Sequence, residues 1–261
     1  MEYYGTLHYY ELDAIMTLLH RTRLAARKLG IEVHRYNILQ SFDARLLGML
    51  TMHSVDLVID VGANDGGYAT GLRQCGYRDH ILSFEPLLAA HAAATRAAAG
   101  DPKWMVAPRC ALGNSPSTLE INVAGNSKSS SLLPMLKSHL DAAPHSRSVT
   151  SESVPVLRLD DIGLPSLKVA IRPYLKIDTQ GYELPVLEGA ILTLERCVGV
   201  QAELSLVPLY EGQTLYREII KWLELRGFEL WSLIPGFSDP VSGRMLQMDG
   251  IFFRPSSVPI R

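Results

Sequence analysis

VDLVIDVGANDGG, residues 55–67, joins an apolar run to a series of small and polar residues. The apolar part predicts a buried parallel strand, and the residues after it predict a tight turn into a helix. Because glycine has no Cβ, the backbone at Gly62, Gly66 and Gly67 can turn sharply and approach a ligand closely. Asn64 and Asp65 suit the turn and the helix cap. This order of elements predicts a nucleotide-binding pocket at the end of the strand.

The composition is that of a globular chain with a sizeable core. It has 261 residues, 47% of them hydrophobic, and a formal net charge of −2, which fits one large domain or one domain with an appendage. No nucleic-acid partner is expected, because such proteins usually carry a strongly basic face. Three widely spaced cysteines, Cys75, Cys110 and Cys197, indicate neither a disulfide framework nor a zinc site.

Two sequence features bear on localisation. The first residues, MEYYGTLHYYE, lack a basic segment followed by an apolar core, so no signal peptide is expected. No apolar run approaches the roughly 18 residues of a membrane span. We therefore expect a cytoplasmic protein.

Residues 1–50 are predicted to form a helical appendage. Leu12, Ile15, Met16 and Leu19 recur at helical spacing and form one apolar face. Five basic residues follow, opposed only by Glu32: Arg21, Arg23, Arg27, Lys28 and Arg35. The favoured interpretation is a helix that packs on the sheet and has cations near its C-terminal end. Peripheral contact of this helix with an anionic membrane surface is the alternative.

Residues 51–261 alternate between segments typical of strands and of helices. The predicted strands are 55–61, 80–85, 104–112, 118–123, 154–159, 174–178, 198–204, 228–233 and 248–253. Helices are predicted at 87–99, 183–196 and 215–226. This alternation predicts an α/β fold with a doubly wound sheet and helices on both faces. A sheet of seven strands, parallel except for one, is the architecture that S-adenosylmethionine-dependent methyltransferases share, and the predicted order resembles it. The last two strands have no helix between them, so one strand of the otherwise parallel sheet is expected to run antiparallel.

The segment 125–147 is rich in serine, asparagine, proline and histidine. We interpret it as a flap or insertion, at about residues 125–150 and with a short helix, because loops this long are often functional. It is a candidate lid over a substrate, and a mobile linker is the alternative. Ser129, Ser130 and Ser131 are candidates for hydrogen bonds to substrate hydroxyls.

The first turn lacks the G-x-G-x-x-G pattern of dinucleotide binders and reads Asp60-x-Gly62-x-Asn64-x-Gly66. An acid there is unfavourable beside a pyrophosphate and favourable beside an ammonium or sulfonium, so the charge favours S-adenosylmethionine over NAD. Glu85 ends the second strand, where an acid commonly binds ribose hydroxyls. The predicted cofactor-binding residues are Asp60, Gly62, Ala63, Asn64, Gly66, Glu85, Pro86, Ala111 and Asp178.

Two carboxylates end neighbouring predicted strands: Asp178 in YLKID and Glu203 in QAELS. Groups at such strand ends line the ligand crevice, so both are candidates for a general base or for ligands of a Mg²⁺ ion. Asp178 can instead cap the helix that follows. His139 and His145 of the flap are further catalytic candidates because imidazole titrates near neutral pH, although an ordinary loop position is the alternative for each.

Five short motifs and one further acidic residue follow one another along the chain. They are VIDVGAN at 58–64, FEP at 84–86, LDD at 159–161, LKIDTQGYE at 175–183, VLEGA at 186–190, and Glu203. Over residues 55–204 they resemble the FkbM family of methyltransferases. The resemblance implies a Rossmann-like class I methyltransferase fold, S-adenosylmethionine as donor and O-methylation of a hydroxyl. Residues 129–132, 209–213 and 249–254 resemble the bacterial, mycobacterial-type members that methylate sugars of glycolipids.

One departure from the family pattern limits the chemistry. Many members carry glutamate where this chain has Gln180, so a carboxylate role is unavailable at this position. Gln180 and Tyr210 are instead candidates for substrate binding. The expected partner is a small-molecule or glycolipid acceptor, and a homo-oligomer is compatible with the sequence. A nicotinamide-dependent oxidoreductase and a non-catalytic binding protein on the same fold are the alternative functions.

Overall fold

The computed structural model describes residues 18–255, and the chain divides into two units, Met1–Leu46 and Leu47–Arg261. In the first unit, residues 18–28 form helix α1. Three residues of the predicted apolar face, Leu12, Ile15 and Met16, lie outside the described residues.

Between residues 18 and 255, no helix combines the length and the apolar character that crossing a bilayer requires.

The second unit contains two β-sheets. In chain order the strands are β1 Leu57–Val61, β2 His80–Phe84, β3 Trp104–Val106, β4 Ala111–Leu112, β5 Ser117–Ala124, β6 Ser148–Leu157, β7 Pro173–Ile177, β8 Gly199–Ser205, β9 Glu229–Pro235 and β10 Gln247–Phe253. The seven-stranded sheet has the order β3-β2-β1-β7-β8-β10-β9. Within this sheet β10 pairs antiparallel with both β8 and β9, whereas the other described pairs are parallel. The predicted Rossmann-like α/β sheet with one antiparallel strand is confirmed.

One short helix precedes β1 and includes residues of both units, and the others connect the strands. They are α2 Phe42–Met52, α3 Gly67–Cys75, α4 Leu88–Ala98, α5 Lys137–Ala142, α6 Pro165–Val169, α7 Glu183–Glu188, α8 Ile191–Arg196 and α9 Tyr216–Glu224. The central strands β1 and β7 are buried at every position, as expected for parallel strands that are covered on both faces. Two charged residues, Asp60 and Lys176, are therefore placed inside the core of the sheet.

The predicted strand 104–112 is wrong, because it forms two strands in different sheets. β3 pairs with β2 in the large sheet, whereas β4 pairs with β6 in a three-stranded sheet of order β4-β6-β5. Pro108 lies between β3 and β4. Since proline has no N–H to donate to a ladder, the chain leaves the first sheet there.

The predicted helix 183–196 is also divided, into α7 and α8. Gly189 lies between them, and a Cβ at this position would lie 1.9 Å from the carbonyl oxygen of Gly113. The backbone N–H groups of Leu192 and Thr193 donate to the carboxylate of Asp160, each at 2.9 Å. Asp160 thus stabilises the start of α8.

The segment 125–147 connects β5 to β6 and contains α5. It is hydrogen-bonded to the loop that follows β8: the N–H of Leu136 donates to the carbonyl of Leu209, and the N–H of Glu211 donates to that of Pro134, both at 2.8 Å. At its other end, Nδ2 of Asn64 lies 3.3 Å from Oγ of Ser127. The flap is therefore held by backbone bonds on one side and by the first turn on the other.

Candidate active site

A cavity of about 300 Å³ lies at the carboxyl ends of β1, β2 and β7. Ligands of open α/β sheets bind at this edge. Most of the predicted cofactor residues line the cavity: Gly62, Ala63, Asn64, Glu85, Pro86, Ala111 and Asp178. Three of the predicted substrate-binding residues line it as well: Ser130, Ser131 and Gln180.

Gly62 allows the ends of β1 and β7 to meet at this cavity. Its φ is +77°, and a Cβ there would lie 1.9 Å from the carbonyl oxygen of Asp178. The N–H of Asp178 donates to the carbonyl of Val61 at 3.0 Å. Gly66 does not line the cavity; its φ of +85° forms the turn that starts α3, against the ring of Trp104. The two glycines therefore shape the turn rather than bind through a side chain.

Glu85 is buried, and both of its carboxylate oxygens accept backbone N–H bonds. Asn64 donates to Oε2 at 2.7 Å, and Leu87 donates to Oε1 at 2.9 Å. Burial raises the pKa of Glu85 to about 7, although these two bonds favour the charged form. Each oxygen keeps a second lone pair, so the predicted contact with a ribose diol is geometrically open and stays a prediction.

Lys176 places a buried cation at the base of the cavity. Its Nζ lies 3.1 Å from Oδ1 of Asp60, 3.7 Å from Oδ2 of Asp178 and 5.0 Å from the ring centre of Tyr68. Burial alone would lower the pKa of Lys176, but the two carboxylates raise it above its ordinary value. One ammonium between two carboxylates leaves a net charge of one negative unit beside the cavity.

The structure corrects the predicted position of Asp60. Its side chain is fully buried and is not among the groups that line the cavity. It pairs with Lys176 and accepts from Oγ of Ser83 at 3.3 Å. Asp60 therefore faces Lys176 rather than the cavity, and its role in cofactor binding stays a prediction.

Gln180 joins the two carboxyl groups that were predicted to act together. Its Nε2 donates to Oδ1 of Asp178 at 2.8 Å and to Oε2 of Glu203 at 2.9 Å. The hydroxyl of Tyr210 donates to Oε1 of Gln180 at 2.9 Å. Gln180 adopts a φ of +54°, a strained conformation that is often found at functional sites. The side-chain amide thereby fixes the separation of Asp178 and Glu203.

Asp178 and Glu203 lie in different environments. Asp178 lines the cavity and its side chain is 39% exposed, whereas Glu203 does not line the cavity. Burial raises the pKa of Glu203 well above its ordinary value, and the nearby Asp178 and Glu183 raise it further. The raised pKa favours the protonated form of Glu203, and of the two side chains only Asp178 lines the cavity.

Comparison with protein families identifies the family of this chain. The model of the methyltransferase FkbM domain matches residues 60–230, a range that contains the end of β1, the first turn, Glu85, Asp178 and Glu203. The chain belongs to the FkbM methyltransferase family. No curated protein sequence matches this FkbM methyltransferase.

Several solved structures are similar to it at low identity. The magnesium protoporphyrin IX methyltransferase ChlM from Synechocystis PCC 6803, with bound S-adenosylmethionine, is 11% identical with a TM-score of 0.45, over 82% of this chain and 78% of that one. TehB from Haemophilus influenzae is 9% identical with a TM-score of 0.45, over 81% and 62%. The methyltransferase domain of bacterial CtHen1 is 9% identical with a TM-score of 0.45, over 84% and 100%.

The arrangement of Asp178, Glu203 and Gln180 is not suited to binding the predicted Mg²⁺ ion. A cation shared by Asp178 and Glu203 would have to lie between their oxygens, and the amide hydrogens of Gln180 already point into that space. Within the described ranges, no group of three or more histidine, cysteine, aspartate or glutamate side chains is arranged to hold a metal ion.

The hydroxyls of the flap serines are engaged within the protein. Oγ of Ser131 donates to the carbonyl of Gln180 at 2.7 Å, and Oγ of Ser129 donates to Oγ of Ser146 at 3.2 Å. Oγ of Ser130 accepts a backbone N–H of β5 at 3.0 Å. Ser129 and Tyr210 line a neighbouring cavity of about 220 Å³ rather than the first one. These bonds hold the flap against the site, and acceptor binding by these residues stays a prediction.

The structure corrects the catalytic prediction for both histidines. His139 is buried beside the rings of Tyr210 and Phe237, at centroid distances of 5.2 and 5.1 Å. Burial lowers the pKa of His139 to about 4, so its imidazole is neutral and packs as an aromatic side chain. His145 is exposed and lines none of the described cavities. Neither histidine is therefore placed at the cavity that Asp178 lines.

The LKIDTQGYE motif contains two buried charged residues, Lys176 and Glu183, for which the sequence predicted no role. Lys176 is a charged residue inside an apolar strand, and this signal could have indicated its buried pairing. Glu183 ends the LKIDTQGYE motif; its Oε1 accepts from the N–H and hydroxyl of Thr179 and from the N–H of Gly181, at 3.0 to 3.1 Å. Glu183 therefore fixes the loop that carries Gln180.

Replacing Gly62 by alanine is expected to lower the free energy of unfolding by about 2–4 kcal/mol. The added methyl group would collide with the carbonyl oxygen of Asp178, and alanine would also have to adopt the positive φ of Gly62. Denaturant unfolding measures the change. Gly71 is the matched control: it lies in α3 with open space around it, so Gly71→Ala should stabilise by up to about 1 kcal/mol. Equal effects of the two substitutions would contradict the close approach at Gly62.

The affinity for S-adenosylmethionine is expected to rise with pH between about 6 and 8, because ribose hydroxyls donate to the ionised form of Glu85, whose pKa is about 7. The slope below the pKa should approach about tenfold per pH unit. Calorimetric titration across this range measures it. Glu85→Gln, which cannot ionise, should bind more weakly and with a flatter profile. An unchanged slope in this variant would assign the pH dependence to another group.

Proposed function

We propose that the chain is an S-adenosylmethionine-dependent O-methyltransferase that acts on a hydroxyl group of a sugar in a glycolipid or another secondary metabolite. The observation that carries the proposal is the position of Asp178, a carboxylate that faces the cavity while Gln180 and Lys176 fix its two oxygens. A cytoplasmic location stays a prediction.

The charges beside the cavity support this donor. Asp60, Lys176 and Asp178 together carry one net negative charge, which attracts a sulfonium and would repel a pyrophosphate. The buried carboxylate of Glu85 has two lone pairs left for a vicinal diol. The same features argue against a nicotinamide-dependent oxidoreductase, which would also need a glycine pattern that this turn lacks.

When bound, S-adenosylmethionine supplies an electrophilic methyl group on a positively charged sulfur. The task of the protein is then to align the acceptor hydroxyl and to remove its proton. Asp178 accepts this proton, since it is the carboxylate that faces the cavity. Glu203 stays protonated and takes a hydrogen bond from Gln180, so it adds no second negative charge that would oppose the alignment.

The flap supports the assignment of a hydroxyl-bearing acceptor. Its serines bond to the loop of Gln180 and to the strand β5, which closes one side of the cavity. The walls there combine apolar side chains, Leu112, Ile121 and Leu132, with polar backbone. Such a mixed lining suits the apolar and polar faces of a sugar ring or a similar small acceptor.

The test is transfer of a labelled methyl group from S-adenosylmethionine to bacterial glycolipid extracts, with and without a chelator. We expect label in a stable ether on a sugar, at the same rate in both conditions. Label on nitrogen or in a carboxyl ester would contradict O-methylation of a hydroxyl. Donor binding without label in any fraction would instead favour the non-catalytic binding protein.

A further inference from the structure

The first unit exposes an unusual amount of apolar surface. Nine of the 21 exposed large apolar side chains of the described residues fall within residues 18–39: Leu18, Leu19, Leu24, Leu29, Ile31, Val33, Tyr36, Ile38 and Leu39. We call this segment the N-terminal apolar surface. Leu29 and Leu39 are almost fully solvent-accessible, at 78% and 79%. Nine such side chains within 22 consecutive residues make this segment much richer in exposed apolar groups than the rest of the described chain, and large exposed apolar surfaces usually mark an interaction site.

Hydrogen bonds, rather than apolar packing, hold the loop that carries this surface. Nε of Arg23 donates to the carbonyl of Val33 at 2.9 Å, and its Nη2 donates to Oε1 of Gln40 at 3.2 Å. Nε of Arg45 donates to the carbonyl of Ile38 at 2.9 Å. Arginine side chains thus satisfy backbone carbonyls of this loop, while its large apolar side chains stay exposed.

The same segment is basic. Residues 18–39 contain five arginine and lysine residues and a single acidic residue, Glu32. Arg23 and Arg27 also line a cavity of about 250 Å³ together with Glu32, His34 and Gln40. Apolar side chains mixed with basic ones are the pattern of proteins that insert into the headgroup region of anionic lipids.

We propose that residues 18–39 bind the surface of an anionic lipid bilayer, with Leu29, Ile38 and Leu39 inserted among the headgroups. The exposed arginines and lysines then lie beside lipid phosphates. A second copy of the chain is less suited to cover the N-terminal apolar surface. A two-fold contact would place two basic segments against each other, and their like charges would repel. The proposal does not depend on the methyl-transfer reaction.

The test is co-flotation of the full chain with vesicles of phosphatidylcholine alone or with phosphatidylglycerol added. We expect binding to the anionic vesicles only, weakened by salt. Leu29→Ser/Leu39→Ser should weaken binding about tenfold or more for each leucine. Arg21→Gln/Lys28→Gln should weaken it about fivefold for each charge. Circular dichroism and donor binding should match the unmodified chain for both variants.

Leu192→Ser/Leu225→Ser is the matched control, since both leucines are exposed on the second unit; it should float like the unmodified chain. The proposal is overturned if the chain does not float with anionic vesicles, or if the Leu29/Leu39 variant binds as well as the control. It is also overturned if lipid-free sedimentation shows a dimer that only the Leu29/Leu39 variant loses, because a second copy then covers the surface.

Discussion

Replacing Asp178 by asparagine is expected to lower the rate of methyl transfer by about 10²–10⁴-fold, the range that a positioned general base contributes. Asparagine keeps the shape of the side chain and an oxygen that accepts from Gln180, but it cannot take a proton at neutral pH. The affinity for S-adenosylmethionine should change much less than the rate. Label transfer to glycolipid extract and calorimetric donor titration measure the two quantities separately.

Glu203→Gln is the informative control for this prediction. Because the raised pKa of Glu203 favours its protonated form, an amide there should retain most of the rate. Asp79→Asn, at an exposed carboxylate remote from the cavity lining, should behave as the unmodified chain. Near-normal turnover of Asp178→Asn, or an equal loss in Glu203→Gln, would show that Asp178 is not the base.

Replacing Lys176 by methionine is expected to lower the free energy of unfolding by about 3–5 kcal/mol, because it leaves Asp60 buried without a counter-charge. The side chains of Lys176 and Asp60 are only 6% and 0% exposed, so water cannot replace the lost partner. The midpoint and slope of denaturant unfolding measure the effect.

Removing both charges tests whether the unpaired carboxylate of Asp60 causes the loss of stability in Lys176→Met. Asp60→Asn/Lys176→Met leaves no buried charge unpaired and should recover much of the lost stability. Lys221→Met, at an exposed position of α9, should change stability by no more than about 0.5 kcal/mol. If the double variant were as unstable as Lys176→Met alone, lost packing rather than an unpaired carboxylate would be the cause.

The fold was largely predictable because the parallel strands of the large sheet are short apolar runs. Leu57–Val61 and Pro173–Ile177 are buried on both faces, so their sequences carry the signal directly. Pairing between strands depends on tertiary contacts, which periodicity does not encode. For this reason the sequence did not separate β4 from β3, and it did not distinguish the three-stranded sheet.

The site was predictable where backbone geometry depends on residue type. Gly62, Asn64 and Glu85 were expected at the cavity, which they line, because a turn and a strand end restrict which residue types fit there. Burial and side-chain partners were not predictable from sequence. In the sequence, His139 resembles an exposed loop histidine that titrates near neutral pH, whereas in the structure its buried ring packs against Tyr210. Likewise, the sequence did not show that the carboxylate of Asp60 is paired with Lys176.

Calorimetric titration of the full chain with S-adenosylmethionine and, in parallel, with NAD tests the central claim most directly. We predict a single binding event for S-adenosylmethionine, weakened by Glu85→Gln, and no binding of NAD. Binding of NAD without S-adenosylmethionine, or donor binding that Glu85→Gln leaves unchanged, would contradict the assignment of this cavity to a sulfonium donor.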